Sequence, residues 1–163
     1  MSVDFKYLQD KVRELGGLIS APSSLLVLRW EPSDDGSPHI VIEGEHFLYI
    51  RCERGEELCR KTTDSLDEIL YWILRDVVRS MSIEFEFKNR LNKQDHRRII
   101  FSKRIELFRK INPSWANRAE SEINEILADA PYNDTPHRRR GVTKKSIFRC
   151  ALSKLINSLH SLF

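Results

Sequence analysis

The chain has 163 residues, 40% of them hydrophobic and 31% charged, which fits one globular domain and excludes a fibrous or disordered chain. No apolar run approaches the ~20 residues of a membrane-spanning helix, and a start carrying Asp4 and Lys6 has no secretory-leader pattern, so a cytoplasmic protein with reduced thiols at Cys52, Cys59 and Cys150 is expected. The net charge of +3 is unevenly spread: residues 136–163 hold seven Lys/Arg and no acid, which leaves residues 1–135 with twenty Lys/Arg against 24 acids, a net of −4.

Phe5, Leu8, Val12 and Leu15 fall on one stripe of a helix over residues 4–15, which Gly16-Gly17 is expected to stop. The period then changes. Residues 25–30, 38–43, His46–Glu53 and 56–62 are short segments rich in Leu, Val, Ile, Phe and Tyr. Turn signals at Ser33-Asp34-Asp35-Gly36, Glu43-Gly44-Glu45 and Arg54-Gly55 separate them. Loops this short join only antiparallel neighbours, which predicts a meander of three or four strands.

After Thr63 the pattern is helical. Asp64 is placed to cap, with Asp67 three residues on, and Leu66, Ile69, Leu70, Ile73, Leu74, Val77, Val78 and Met81 keep a wide apolar stripe. Continued to Arg90, such a helix spans roughly 40 Å. Trp72, beside Ile73 and three residues from Ile69, is expected to bury at least part of its ring against the meander. Asp95 opens the next helix, with Phe101, Ile105, Phe108 and Ile111 facing in. Asn112-Pro113 reads as a cap followed by proline in the first helical position; Trp115, Ala119, Ile123, Ile126 and Leu127 then face in, and Pro131 ends the helix. Residues 131–141 read as a polar, basic linker. Beyond them Ile147, Phe148, Ala151, Leu152, Leu155, Ile156, Leu159 and Leu162 form a further amphipathic stripe. The order is helix, meander, helices. That predicts an α+β domain over residues 1–134, followed by a basic linker and amphipathic helix over 135–163.

No catalytic motif stands out: GxGxxG, Walker, GxSxG and HExxH patterns are all missing, and the five histidines are scattered. No metal and no cofactor are expected. Glu84 and Glu86, two residues apart on a helix, point about 200° from one another and cannot share an ion. Asp95-His96-Arg97-Arg98 reads as a cap followed by a solvated basic turn. An enzyme is therefore not expected. Glu122, Glu125 and Asp129 follow i, i+3, i+7 spacing on one side of their helix. That side is either an ordinary solvated face or, with the loop acids Asp34 and Asp35, a docking surface for a cationic partner. The basic tail also has two readings: packing of its apolar stripe onto the domain or a second copy, or a cationic helix on nucleic acid or anionic membrane. A stripe so wide and aliphatic favours packing.

Several blocks occur in a distinctive order. They are Thr62-Thr63-Asp64-Ser65-Leu66-Asp67-Glu68-Ile69-Leu70-Tyr71-Trp72-Ile73, then Asp95-x-Arg97-Arg98 with Phe101, then Leu107-x-x-x-Ile111-Asn112-Pro113-x-Trp115. Glu122-x-x-x-Ile126-Leu127 and Pro131-Tyr132-x-Asp134 complete the set. Together, over roughly residues 45 to 134, they resemble the bacterial polymorphic-toxin immunity family numbered sixty-three. The resemblance implies a cytosolic antidote, not an enzyme, that binds the C-terminal domain of a cognate toxin delivered by contact-dependent growth inhibition or a related system. It implies no catalytic or cofactor residues. Family members commonly end near the Pro-aromatic-x-Asp block, whereas this chain continues for 29 residues. Two further readings stay open: a nucleic-acid-binding module that uses the basic tail, and a hydrolase whose site assembles from distant residues.

Overall fold

Asp4 starts the first helix: its carboxylate accepts the Tyr7 backbone N–H at 2.7 Å, and α1 runs Phe5–Gly17. The structure, a computed structural model, describes residues 4–33 and 35–134. The expected tail helix, Cys150 and Asp34 lie outside the described residues. Leu8 and Val12 are fully buried, on the expected face. The helix does not stop at Leu15, because Gly16 and Gly17 stay helical. Gly16 serves a packing role instead, since a Cβ there would lie 2.4 Å from Leu26 Cδ2.

Residues 25–30 are not a strand. A 3-10 turn at Ser23–Leu25 leads into a stretch in which Leu26 and Leu28 are buried while Val27 and Arg29 are exposed. The alternation is real, but its partner is a side chain. Gln9 Nε2 donates to Leu26 O at 2.7 Å, and Gln9 Oε1 accepts from Leu28 N at 2.9 Å. A bond from Ile40 N–H to Arg29 O at 2.8 Å ties the stretch to the sheet edge.

The sheet has three antiparallel strands in the order β1-β2-β3: β1 (Asp35–Glu43), β2 (His46–Glu53) and β3 (Glu56–Thr63). Arg54 and Gly55 both take positive φ, 56° and 78°, as the tight second hairpin requires. β1 begins three residues before Pro38, with an irregular register between Asp35 and Pro38 that suits a residue lacking an N–H. Phe47 and Tyr49 of β2 join the core. The Tyr49 hydroxyl donates to Asp76, Arg51 Nη2 donates back to Tyr49 at 2.6 Å, and the same guanidinium pairs with Asp76 at 2.6 Å.

α2 (Leu66–Asn89) covers the sheet and is about 36 Å long. Its cap is Ser65, one residue after the expected Asp64: the Ser65 hydroxyl accepts the Glu68 N–H at 3.3 Å, while Thr63 Oγ1 accepts the Ser65 N–H at 3.0 Å. That leaves Asp64 exposed. Trp72 is 7% exposed, with its ring edge-on to Tyr49 at 6.2 Å, as the sequence predicts. Glu84 pairs with Lys88, and Glu86, 1% exposed, pairs with Arg90 at 2.6 Å.

α3 runs Arg97–Ile111, two residues later than expected; His96 stands at its N-cap without a side-chain hydrogen bond, while Asp95, one residue earlier, accepts the Arg97 N–H at 2.9 Å. The expected solvated turn is instead a clamp. Asp95 is buried, forks the Arg97 guanidinium and accepts the Asn133 N–H at 2.9 Å. Asp134 accepts the Asp95 N–H at 2.9 Å and pairs with Arg98 at 2.8 Å. Arg97 also donates to the carbonyls of Ala130 and Pro131 at 2.9 and 2.8 Å. Residues 131–134 are thus fastened to the start of α3 and are not a free linker. The Arg97 guanidinium, with the N–H groups of Asn133 and Arg97, holds the Asp95 carboxyl well below the usual carboxylate range.

α4 (Pro113–Asp129) begins as expected, with Asn112 Oδ1 accepting the Ser114 N–H at 2.9 Å and proline in the first position. Trp115, Ala116, Ala119 and Ile123 are buried, while Ile126 and Leu127 are only half-buried. In α3 the buried set is Phe101, Leu107 and Phe108; Ile105 and Ile111 are partly buried. α3 packs against both α2 and α4, so its apolar stripe reaches Leu107. Tyr71, Phe108 and Trp115 form an aromatic centre with ring separations of 5.3 to 6.4 Å. Trp115 Nε1 donates to the Asp67 carboxylate at 3.0 Å, Arg118 forks Glu68, and the Tyr71 hydroxyl donates to Glu122 at 2.9 Å. These three pairings show that α2 and α4 run in the same direction, joined by long side chains while α3 packs against both.

Candidate partner-binding surface

α4 carries three of the five acids expected to meet a partner, and the structure separates them. Glu122 is half-buried. It accepts the Tyr71 hydroxyl, pairs with Arg118 Nε at 3.4 Å and lies 3.9 Å from Arg104. Its carboxylate is an internal counter-ion that holds α4 onto α2, and the expected Arg118–Glu122 surface pair is secondary to the Arg118–Glu68 fork. Glu125 and Asp129, by contrast, are exposed and make no ion pair among the described residues. Asp35 lies at the start of β1, remote in sequence from this helix; it accepts the Ser33 hydroxyl and the Ser37 N–H, both at 2.8 Å, and lies 3.8 Å from Arg29. Its pKa is pushed down to about 2, first by the hydrogen bonds from Ser37 and then by that from Ser33. Asp34 lies outside the described residues.

Glu122 sits in a cationic neighbourhood that sequence reading missed. Arg104 of α3 is nearly buried, with a side chain 12% exposed, and its Nε is buried without a hydrogen-bond partner among the described residues. Burial pushes the Arg104 guanidinium pKa down; Glu122 and Tyr71 oppose that, while Arg75 and Arg79 add to it. Lys61 of β3 lies over the Trp72 ring at 5.1 Å, and burial and then Arg75 push its pKa down too. Arg118 stacks on the Tyr71 ring at 4.0 Å. Lys61, Arg75, Arg79, Arg104 and Arg118 thus gather from four elements around two acids, Glu68 and Glu122. Arg75 is half-buried and Arg79 exposed, and neither forms an ion pair or hydrogen bond among the described residues. The sequence held one clue: Arg75 and Arg79 are like charges at i, i+4, an unfavourable spacing on one helix.

Among the described residues no group of three or more His, Cys, Asp or Glu is placed to hold a metal, and no helix is long and apolar enough to cross a membrane. Cys59 stands opposite Arg51, and Cys52 opposite Glu57; both thiols are free.

No curated protein and no solved structure matches the chain. A family model described as Immunity protein 63 matches residues 43–125. The matched stretch runs from the end of β1 through the β2–β3 hairpin, α2 and α3 and into α4, and so includes Arg75, Arg79, Arg104, Glu122 and Glu125. Asp34, Asp35 and Asp129 fall outside it. With just over half of the chain matched, across the elements that build the core, the protein belongs to the Immunity protein 63 family.

Proposed function

We propose that the protein neutralises one cognate bacterial toxin domain by binding it tightly and covering its working surface, as an antidote to contact-delivered or otherwise secreted toxins, acting in the cytoplasm. The family match across the folded core carries this reading. Occlusion needs a complementary surface and no catalytic group, so function can reside in residues that form no recognisable motif. Residues 1–134 are the toxin-binding unit in this reading, and the basic segment after them is separate from it. Glu125, Asp129, Asp35 and Asp34 are the acids offered to basic groups on the toxin, with Glu122 bracing the helix that presents two of them.

The test is co-expression with the toxin domain encoded beside this chain. Cells carrying the toxin alone are expected to stop growing, and cells carrying both to grow, with a one-to-one complex recovered by gel filtration. Growth arrest unchanged by the chain, together with no complex, rejects the proposal.

A further inference from the structure

We propose that Arg75 and Arg79, flanked by Lys61 and Arg104, form a second contact patch that takes a carboxylate-rich segment of the toxin domain. The patch rests on the immunity reading and gives the partner a second chemistry: acidic where it meets α2, basic where it meets Glu125 and Asp129.

Three observations converge. The first is a charge imbalance, for the cluster holds five cations and two acids, and Arg118 already occupies Glu68. The second is the lack of partners: Arg75 is half-buried with no ion pair or hydrogen bond among the described residues, and Arg79, one turn on, has none either. A half-buried guanidinium among like charges raises the energy of the free protein, and an incoming carboxylate relieves it. The third is placement. The pairings Asp67–Trp115, Glu68–Arg118 and Tyr71–Glu122 show α2 and α4 advancing together, so Arg75 and Arg79 continue from Tyr71 toward the end of the bundle where Glu125 and Asp129 continue from Glu122. One partner face can engage both.

The geometry favours a protein carboxylate over a nucleic acid. Two forks one helical turn apart, with Cβ atoms about 5–6 Å from each other, suit a pair of side-chain carboxylates held bidentately. A phosphate backbone needs a longer cationic track, and here it would meet Glu68, Glu122, Glu125 and Asp129. Surfaces of mixed sign also fix register, because a wrong docking sets like charges together.

The experiment measures fluorescence anisotropy of a labelled oligoglutamate peptide, and of an oligouridylate of equal length, against the full chain at low ionic strength. The wild type is compared with Arg75→Gln/Arg79→Gln and with a control, Lys93→Gln/Arg109→Gln, which removes two exposed cations elsewhere. The basic tail is common to all three proteins, so differences report the patch. The Arg75/Arg79 pair is expected to weaken oligoglutamate binding about fivefold or more, the control less than about twofold, and oligouridylate binding to change little. Arg79→Glu, at an exposed position, is expected to weaken oligoglutamate at least as much and keeps the test open if the double variant misfolds. Equal losses in test and control pairs overturn the proposal. A loss of oligouridylate binding as large as that of oligoglutamate also overturns it and points to nucleic acid. Failure of the immunity reading shows separately, as a wild-type chain that does not bind the toxin domain.

Discussion

Trp72 joins the sheet to the helical layer. Its ring meets Tyr49 edge-on and carries the Lys61 ammonium 5.1 Å from its centre, with 7% of the residue left to solvent. Removing it leaves a cavity that neither the sheet nor α2 can close without moving. Trp72→Ala is expected to cost ~3–5 kcal/mol in urea or guanidinium unfolding, and a loss under about 1 kcal/mol would contradict this packing. Asp95 is decisive for another reason. Its folded-state pKa lies below its unfolded value, so the stability it contributes is present above the unfolded pKa near 4 and is lost as pH falls toward the folded value. Asp95→Asn is expected to destabilise by ~2 kcal/mol at pH 7, with the gap to wild type narrowing steadily below pH 4. A gap that stays constant to pH 2 would show that the carboxylate charge is not what holds the clamp. Of these two residues, Trp72 was legible from its place in an apolar stripe. The clamp on Asp95 was not, because its partners lie 38 and 39 positions further along the chain.

At the scale of elements, local signals carried furthest where the chain pairs with its own neighbours. The two hairpins, the Asn112-Pro113 start of α4 and the stripe of α2 all follow from spacing and turn residues. The stretch over 25–30 shows the limit. Buried Leu26 and Leu28 alternate with exposed Val27 and Arg29 as in a strand, although exposed Trp30 breaks the pattern, and alternation specifies a buried face and not the element that covers it. Here Gln9 supplies both hydrogen bonds. Gln9→Ala is expected to cost ~1–2 kcal/mol and to speed hydrogen exchange at the Leu28 amide while exchange along β2 stays slow. Unchanged exchange at Leu28 would mean that another group holds the stretch. The candidate surface failed to read out for a related reason. Spacing placed Glu122 with Glu125 and Asp129 on one helical side, yet it could not reveal that Tyr71, Arg104 and Arg118 from three helices converge on that carboxylate alone.

For the molecule as a whole, the charges proposed to meet a partner would govern how fast it arrives more than how long it stays. Charges at the edge of an interface steer encounter and are screened beyond about 8–10 Å at physiological salt. Glu125→Lys/Asp129→Lys is therefore expected to slow association with the toxin domain by about threefold or more at low salt, to flatten the dependence of the on-rate on salt, and to leave the melting temperature near wild type. Wild-type association at both low and high salt would remove these acids from the interface. Glu122→Lys is expected to behave differently and to lower the melting temperature, since it breaks the Tyr71 hydrogen bond and adds a charge beside Arg104.

The connectivity has a kinetic side. Each strand pairs with the next, α3 packs on α2, and α4 packs on α3, so much of the core assembles from chain segments separated by short loops. Closing short loops costs little entropy, and topologies rich in near-neighbour contacts refold in about milliseconds or faster. For an antidote this is a matter of supply. If the proposed function holds, a copy emerging from the ribosome becomes competent to bind soon after α4 is made, and protection then follows the rate of synthesis more than a slow maturation step.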